Sequence, residues 1–151
     1  MGTYKRTELF EADALLLGGN TYRQFAGYWP GKTDTAGFAD KINELPKYVV
    51  SSSLQSVEWQ NSYILRDVTK DITALKATEG GNILVYGSAT LVKELLLHDL
   101  VDELRLMVYP VSIGGGLRLF DDNRLKKTFA LKRFQVLDNG VVILEYEPRK
   151  L

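Results

Sequence analysis

The apolar positions of this chain fall in short runs separated by glycine, proline and serine. Ala14–Leu17 (ALLL) is stopped early by Gly18-Gly19, which predicts a buried strand rather than a helix. Before it, residues 1–6 are polar and predicted to fray, and Thr7 is placed to cap a short helix, TELFEA. After it, Asn20 is placed to cap a helix over Thr21–Ala26, with Tyr22 and Phe25 sharing a face. Residues 36–45 set Phe38, Ile42 and Leu45 on one side of an amphipathic helix that Pro46 closes. Strands are predicted over Lys47–Val50 and Ser62–Leu65, separated by Ser51-Ser52-Ser53 and a turn carrying Trp59. A helix over Thr69–Thr78 turns Ile72 and Leu75 inward and ends at Gly80-Gly81. A buried strand, Asn82–Tyr86, then passes through Gly87-Ser88 into a helix, Ala89–Leu97.

Beyond Asp99 the rhythm changes. Glu103–Tyr109 alternates apolar with polar residues, as a half-buried strand does. Pro110 and Gly114–Gly116 interrupt it, and these glycines read as turn-formers first and as residues on the rim of a site second. Lys127–Leu137 and Val141–Glu147 are two strands joined by Asp138-Asn139-Gly140, and Asn-Gly is a strong hairpin signal. Strand–helix alternation followed by antiparallel strands predicts one α/β domain over residues 1–151. Its architecture is three-layered: a mainly parallel central sheet, helices on both faces, and a C-terminal antiparallel hairpin.

In such a sheet the carboxyl ends of the strands share one edge, where ligands bind. Three predicted strands leave through small hydrogen-bonding residues: Gly18, Gly19, Asn20 and Thr21; Ser51, Ser52 and Ser53; and Gly87, Ser88, Ala89, Thr90 and Leu91. Two of these junctions start helices, whose first N–H groups have no intrahelical partner and lie at a partly positive end. Glycine allows close backbone approach, and the Ser88 hydroxyl is placed to cap its helix. Together the three ends suit a dinucleotide better than a lone phosphate. The bland alternative is that all three are only turns, which use the same residues. None matches the Gly-x-Gly-x-x-Gly or P-loop pattern.

Composition narrows the chemistry. The 19 basic and 19 acidic residues cancel, so bulk charge points to neither nucleic acid nor membrane. There is no cysteine, which excludes disulfides, thiolate catalysis and cysteine-ligated metals. The single histidine, His98, ends a predicted helix, where a cation favours the C-terminus. No Asp-x-Asp-x-Asp-Gly loop offers a carboxylate metal site, so none is expected. No apolar run approaches the length of a membrane span and no signal-peptide pattern opens the chain, which predicts a soluble, cytoplasmic protein.

The order of these segments resembles the dihydrofolate-reductase-like superfamily, and within it the small bacterial proteins related to the reductase domain of the bifunctional riboflavin-biosynthesis enzyme. The likeness is carried by ADALLLGGNTYRQFAGYWP (Ala12–Pro30), FADKINELPKYVVSSSL (Phe38–Leu54), GNILVYGSATLVKELLLHDLVDELRLMVYPVSIGGGLRLF (Gly81–Phe120) and the closing strands. The resemblance implies hydride transfer from NADPH, with NADH as the other nicotinamide donor, to a pteridine, pyrimidine or similar heterocycle. It implies that Gly18, Asn20 and Thr21 contact cofactor phosphates, that Ser51–Ser53 lie beside the adenosine ribose and its 2′-phosphate, and that Gly87–Leu91 hold the pyrophosphate.

Two departures from the family pattern stand out. Members often carry a basic residue directly after the first glycine of the phosphate turn, where this chain has Gly19. Arg23, Lys47 and Arg66 are the cations that could compensate, each otherwise read as a solvated charge. The family also places a central first strand ahead of the segment matching Thr7–Leu17, and residues 1–6 are too few for a βα unit of roughly 30 residues. Losing that strand exposes backbone groups on both neighbours, so the sheet either closes the gap directly or pairs with another subunit, and a homodimer is expected. The family's substrate-contacting acid belongs to that absent part, so no catalytic residue is named. Asp34, Asp121 and Asp122 read as solvated carboxylates. The leading expectation is an NADPH-linked reductase. The alternative is a non-catalytic nucleotide-binding or dimerisation domain that has lost the substrate half of the site, and a third reading is a purely structural oligomerisation module.

Overall fold

A computed structural model describes residues 2–78, 80–116, 118–120 and 124–149. The first β-strand, β1 (Ala12–Gly18), is the axis of the molecule. It pairs in parallel with β2 (Lys47–Val50) on one side and β4 (Asn82–Gly87) on the other, and β2 pairs in parallel with β3 (Ser62–Leu65). The sheet order is β3-β2-β1-β4. Alternation along β1 divides the core. Leu15 and Leu17 pack with Leu9, Tyr22, Ile42 and Trp59, whereas Leu16 packs with Ile72, Leu91 and Leu95. Helices α1 (Gly2–Phe10), α2 (Gly19–Tyr28) and α3 (Phe38–Glu44) therefore cover one face, and α4 (Val68–Lys76) and α5 (Ala89–Leu97) the other. A strand buried on both faces has no room for polar side chains, which is why ALLL reads as a continuous apolar run. Among the described residues no helix is long and apolar enough to cross a membrane.

The antiparallel part is a second sheet, ordered β5-β7-β6, built from β5 (Leu104–Val108), β6 (Thr128–Val136) and β7 (Val142–Arg149). The hairpin expected between the last two strands gains β5 as a third member, with Leu106 opposite Leu144 and Val108 opposite Val142. Neither β4 nor β5 pairs with the other, so the sheet does not close directly across the space between them.

Three local expectations need correction. Residues ahead of Thr7 are not frayed: α1 begins at Gly2 because tertiary contacts hold it. Tyr4 donates to Glu145 of β7 (2.9 Å), and Arg105 of β5 donates to Glu8 (2.9 Å). Asn20 does not cap α2, since the helix begins at Gly19 with Gly18 as its cap. Ser88 stands at the cap position of α5, but its hydroxyl makes no capping bond.

Candidate functional site

The parallel register brings the three strand ends together. Gly18 lies opposite Val50 of β2, and Leu17 opposite Gly87 of β4. The approach is close: a Cβ at Gly18 would lie 3.2 Å from Ser88 Oγ and 3.4 Å from the Ser88 nitrogen, so a side chain there would fit only if Ser88 gave way by a few tenths of an ångström. A Cβ at Gly19 would lie 3.5 Å from Ser51 Oγ, and one at Gly87 would lie 3.5 Å from Thr21 Oγ1. Gly87 also has φ +145°, a conformation that L side chains rarely adopt, and its peptide bond to Ser88 is cis. Gly18, Gly19, Thr21, Ser51, Gly87 and Ser88 thus form one corner.

Two helices start at this corner with no side chain capping either N-terminus and no acidic residue in either first turn. The N–H groups of Gly19, Asn20 and Thr21, and those of Ala89, Thr90 and Leu91, lack the four-back carbonyl of a helix interior. By contrast, other helices have side-chain acceptors near their starts, α4 at its cap residue and α3 ahead of its cap Gly37. Asp67 accepts from the Lys70 N–H at 3.0 Å at the start of α4, and Asp34 accepts from the Ala39 N–H at 3.4 Å in α3. Ser88 was predicted to spend its hydroxyl on its own helix; its side chain is instead turned toward Gly18. The corner therefore gathers backbone N–H groups that no side chain caps. Leu91 gives it only backbone, because its side chain is buried in the core with Leu16 and Ile72.

The three candidate cations part company. Arg23 stands beside the corner: its Nη1 is 3.9 Å from where a Gly19 Cβ would be, and donates to Asn20 Oδ1 at 2.9 Å. The guanidinium thus lies next to the space that a side chain at position 19 would enter. Arg66, at the end of β3, donates to the carbonyls of Ser51 and Leu54 and holds the serine loop in shape. Ser51 braces the same loop, its Oγ accepting from the N–H groups of Ser53 (3.2 Å) and Leu54 (3.0 Å). Ser52 and Ser53 are exposed at the rim.

Lys47 is not the solvated charge it was read as. It is 0% exposed at the opposite end of β2, donating to the carbonyls of Asn43 and Gln60 and lying 4.1 Å from the centroid of the Trp59 ring. Burial pushes its amine down to about 8. Two carbonyl acceptors and an aromatic face compensate the ammonium there, so its role is to tie β2 to α3 and the Trp59 turn. His98 stands at the C-terminal cap of α5, where the sequence placed it, and lies 3.7 Å from Glu94 one turn back. Asp34 serves as the backbone acceptor described above, and Asp121 and Asp122 lie outside the described residues.

Sequence reasoning passed over a charged network between α1 and the second sheet. Arg105 bonds Glu8 (2.9 Å) and Glu103 (2.6 Å) and lies 3.4 Å from Glu145, which also takes Arg133 (2.5 Å). Burial raises the Glu8 carboxyl above its ordinary range despite Arg105. Burial also acts on Glu145, but bonds from Arg133 and Tyr4 outweigh it and hold that carboxyl low. Only the alternation within β5 hinted that Arg105 points to one face. Tyr86, immediately before the Gly87 junction, was also missed. Its hydroxyl is buried without a partner among the described residues, and burial, with the charge of Glu8, raises its pKa.

A cleft of about 900 Å³ opens between α2, α3 and the Trp59 turn, lined by Tyr22, Arg23, Lys32, Asp40 and Trp59 among others. Apart from Arg23 it shares no residue with the strand-end corner. Within it the Trp59 backbone N–H donates to Tyr22 Oη (3.1 Å) and the Trp59 indole N–H to Asn43 Oδ1 (2.8 Å). Among the described residues no group of His, Asp or Glu could hold a metal ion.

The RibD C-terminal domain family matches residues 3–143. The chain is 27% identical over 141 residues to the uncharacterized protein YyaP of Bacillus subtilis (strain 168), covering 91% of this chain and 75% of that one. It is 30% identical over 111 residues to the uncharacterized protein YwjB of the same organism, covering 73% of this chain and 59% of that one. Two solved structures share the fold. One is a protein from Shewanella sp. PV-4 named for riboflavin biosynthesis (TM-score 0.74, 20% identity, 94% of this chain and 77% of that one). The other is a pyrimidine reductase-like protein from Corynebacterium diphtheriae (TM-score 0.66, 15% identity, 93% and 77%).

Proposed function

The chain belongs to the RibD C-terminal domain family, a family of riboflavin-pathway reductase type, and on that footing we propose that it is an NADPH-dependent reductase of a pteridine- or pyrimidine-type heterocycle. The observation that supports this most is the strand-end corner. Two uncapped helix N-termini converge there on closely packed glycines, a Cβ at Gly18 falling 3.2 Å from Ser88 Oγ, and Arg23 and Arg66 stand on its flanks. That donor set fits a dinucleotide. The N–H groups of α2 and α5 would bind the pyrophosphate, and Arg23 would supply the positive charge that Gly19 does not. The loop of Ser51, Ser52 and Ser53, shaped by Arg66, would hold the ribose and its 2′-phosphate. The nicotinamide, when bound, supplies the hydride. The protein's part is to orient a flat heterocycle against it, while a proton from water completes the reduction at the adjacent heteroatom. A cytoplasmic setting belongs to this reading.

Titration with NADPH and NADH, followed by nicotinamide fluorescence, tests it. Binding of NADPH is expected, with Arg23→Gln weakening it about tenfold, as loss of one charge-assisted bond does. No binding of either cofactor at millimolar concentration would sink the reading. Binding without oxidation of NADPH across a panel of pteridines and pyrimidines would favour the non-catalytic nucleotide-binding domain instead.

A further inference from the structure

The serine loop after β2 is held from one side by a single residue. Arg66, just past β3, donates from Nη1 to the Ser51 carbonyl (2.5 Å) and from Nη2 to the Leu54 carbonyl. Helix α4 fixes its backbone in turn, because Asp71 in the first turn accepts from the N–H groups of Arg66 (3.2 Å) and Asp67 (3.0 Å). Two carbonyls three residues apart are thus drawn onto one planar fork, a task for a guanidinium rather than for a point-like ammonium. A trans peptide points its N–H opposite to its C=O. Turning the Ser51 carbonyl toward Arg66 therefore turns the Ser52 N–H away from it. Ser51 Oγ is taken up inside the loop by the Ser53 and Leu54 N–H groups. The Ser52 N–H and the Ser52 and Ser53 hydroxyls make no hydrogen bond among the described residues, and both residues are exposed.

We infer that Arg66 is the positioning residue that makes the cofactor site select NADPH over NADH, acting through Ser52 and without touching the 2′-phosphate itself. This rests on the proposed function and deepens it. The two cofactors differ only in that phosphate, which carries three acceptor oxygens and a charge of about −2. The Arg66 fork holds the Ser52 N–H and the two free hydroxyls in one place, so the donors are set before the ligand arrives. The place is also charged. A Cβ at Gly19 would lie 3.5 Å from Ser51 Oγ and 3.9 Å from Arg23 Nη1, so the serine loop and the Arg23 guanidinium border one space. A bare ribose hydroxyl uses little of this donor set, whereas a phosphate uses all of it. The rest of the dinucleotide belongs to the N-termini of α2 and α5, which Arg66 does not contact. Loosening the loop should therefore be felt by NADPH and hardly by NADH.

Fluorescence titration of the full chain with NADPH and, separately, NADH reads the outcome. The wild type is expected to bind NADPH at least ~10-fold more tightly. Arg66→Met should weaken NADPH about tenfold and leave NADH within about twofold. Arg66→Lys keeps the charge but loses the fork, and should weaken NADPH nearly as much as Arg66→Met. Because Arg66 acts through Ser52, Ser52→Ala should cost NADPH affinity in the wild type and almost none in the Arg66→Met background. Arg66 and Ser52 are both exposed, so the thermal midpoint should hold in every variant. Full NADPH affinity in Arg66→Lys beside a loss in Arg66→Met would mean that Arg66 meets the phosphate by charge, and overturns the positioning role. Equal losses for both cofactors, additive losses in the double variant, or an unchanged preference in Arg66→Met overturn it too. A wild type that binds both cofactors equally overturns this inference alone. One that binds neither sinks the proposed function and this inference with it.

Discussion

Gly18→Ala is the sharpest probe of the corner, because it separates folding from binding. Gly18 has φ −73° and ψ 163°, extended backbone that alanine adopts without strain. The added Cβ would meet Ser88 Oγ at 3.2 Å and the Ser88 nitrogen at 3.4 Å. The first contact is a few tenths of an ångström too tight, and the hydroxyl makes no capping bond that would resist a small rotation. Relief of that contact costs on the order of 1 kcal/mol or less. Restricting the unfolded chain returns about 0.4–1 kcal/mol. The two nearly cancel, so the thermal midpoint should move by less than about 4 °C. Binding should respond quite differently. The methyl group would enter the gap between the first N–H groups of α2 and α5, where, on the proposed function, a pyrophosphate oxygen would approach to about 2.9 Å. Displacing a doubly hydrogen-bonded oxygen should cost about 2–3 kcal/mol, or roughly a hundredfold in NADPH dissociation constant. Fluorescence titration beside a thermal melt measures both. An unchanged affinity with an unchanged midpoint would refute the placement of the pyrophosphate. Gly87→Val is the blunter test, since φ +145° strains any other residue there and folding and binding would fall together.

Other consequences follow from the buried charges. Arg105→Met leaves Glu8 and Glu145 without their shared guanidinium and should destabilise the fold by about 3 kcal/mol in urea denaturation; a loss below about 1 kcal/mol would show that the network contributes little. Lys47 has its folded pKa pushed down to about 8, so the unfolded chain holds the extra proton between that value and about 10.4. Its contribution to stability therefore rises as pH rises through this window. The difference between wild type and Lys47→Met should shift toward the wild type by about 2 kcal/mol between pH 7 and 10, and a flat or opposite trend would contradict the burial argument. Tyr86→Phe removes a buried hydroxyl that has no partner among the described residues, so the midpoint should hold or rise by a few degrees; a fall of more than about 4 °C would reveal a bond that the fold does not display.

Local chemistry determined much of this molecule in advance. The glycine stop after Leu17, the apolar run Asn82–Tyr86, and the helix after Ser88 were legible because each rests on residues within a few positions of one another. The meeting of the three strand ends was legible too, because parallel strands must share a carboxyl edge. What required the tertiary structure is everything set by long-range contact. Helix α1 starts at Gly2 because Tyr4 and Glu8 reach residues more than 90 positions away. Lys47 is a buried tie rather than a surface charge because Asn43, Gln60 and Trp59 enclose it. Ser88 leaves its helix uncapped because β1 brings Gly18 against its side chain. Periodicity assigns a residue to a face, but only packing decides what that face meets. So the sequence alone determined the strand ends and their glycines. Tertiary structure decided that two helix N-termini would stand there open, with Arg23 beside the place where Gly19 has no side chain.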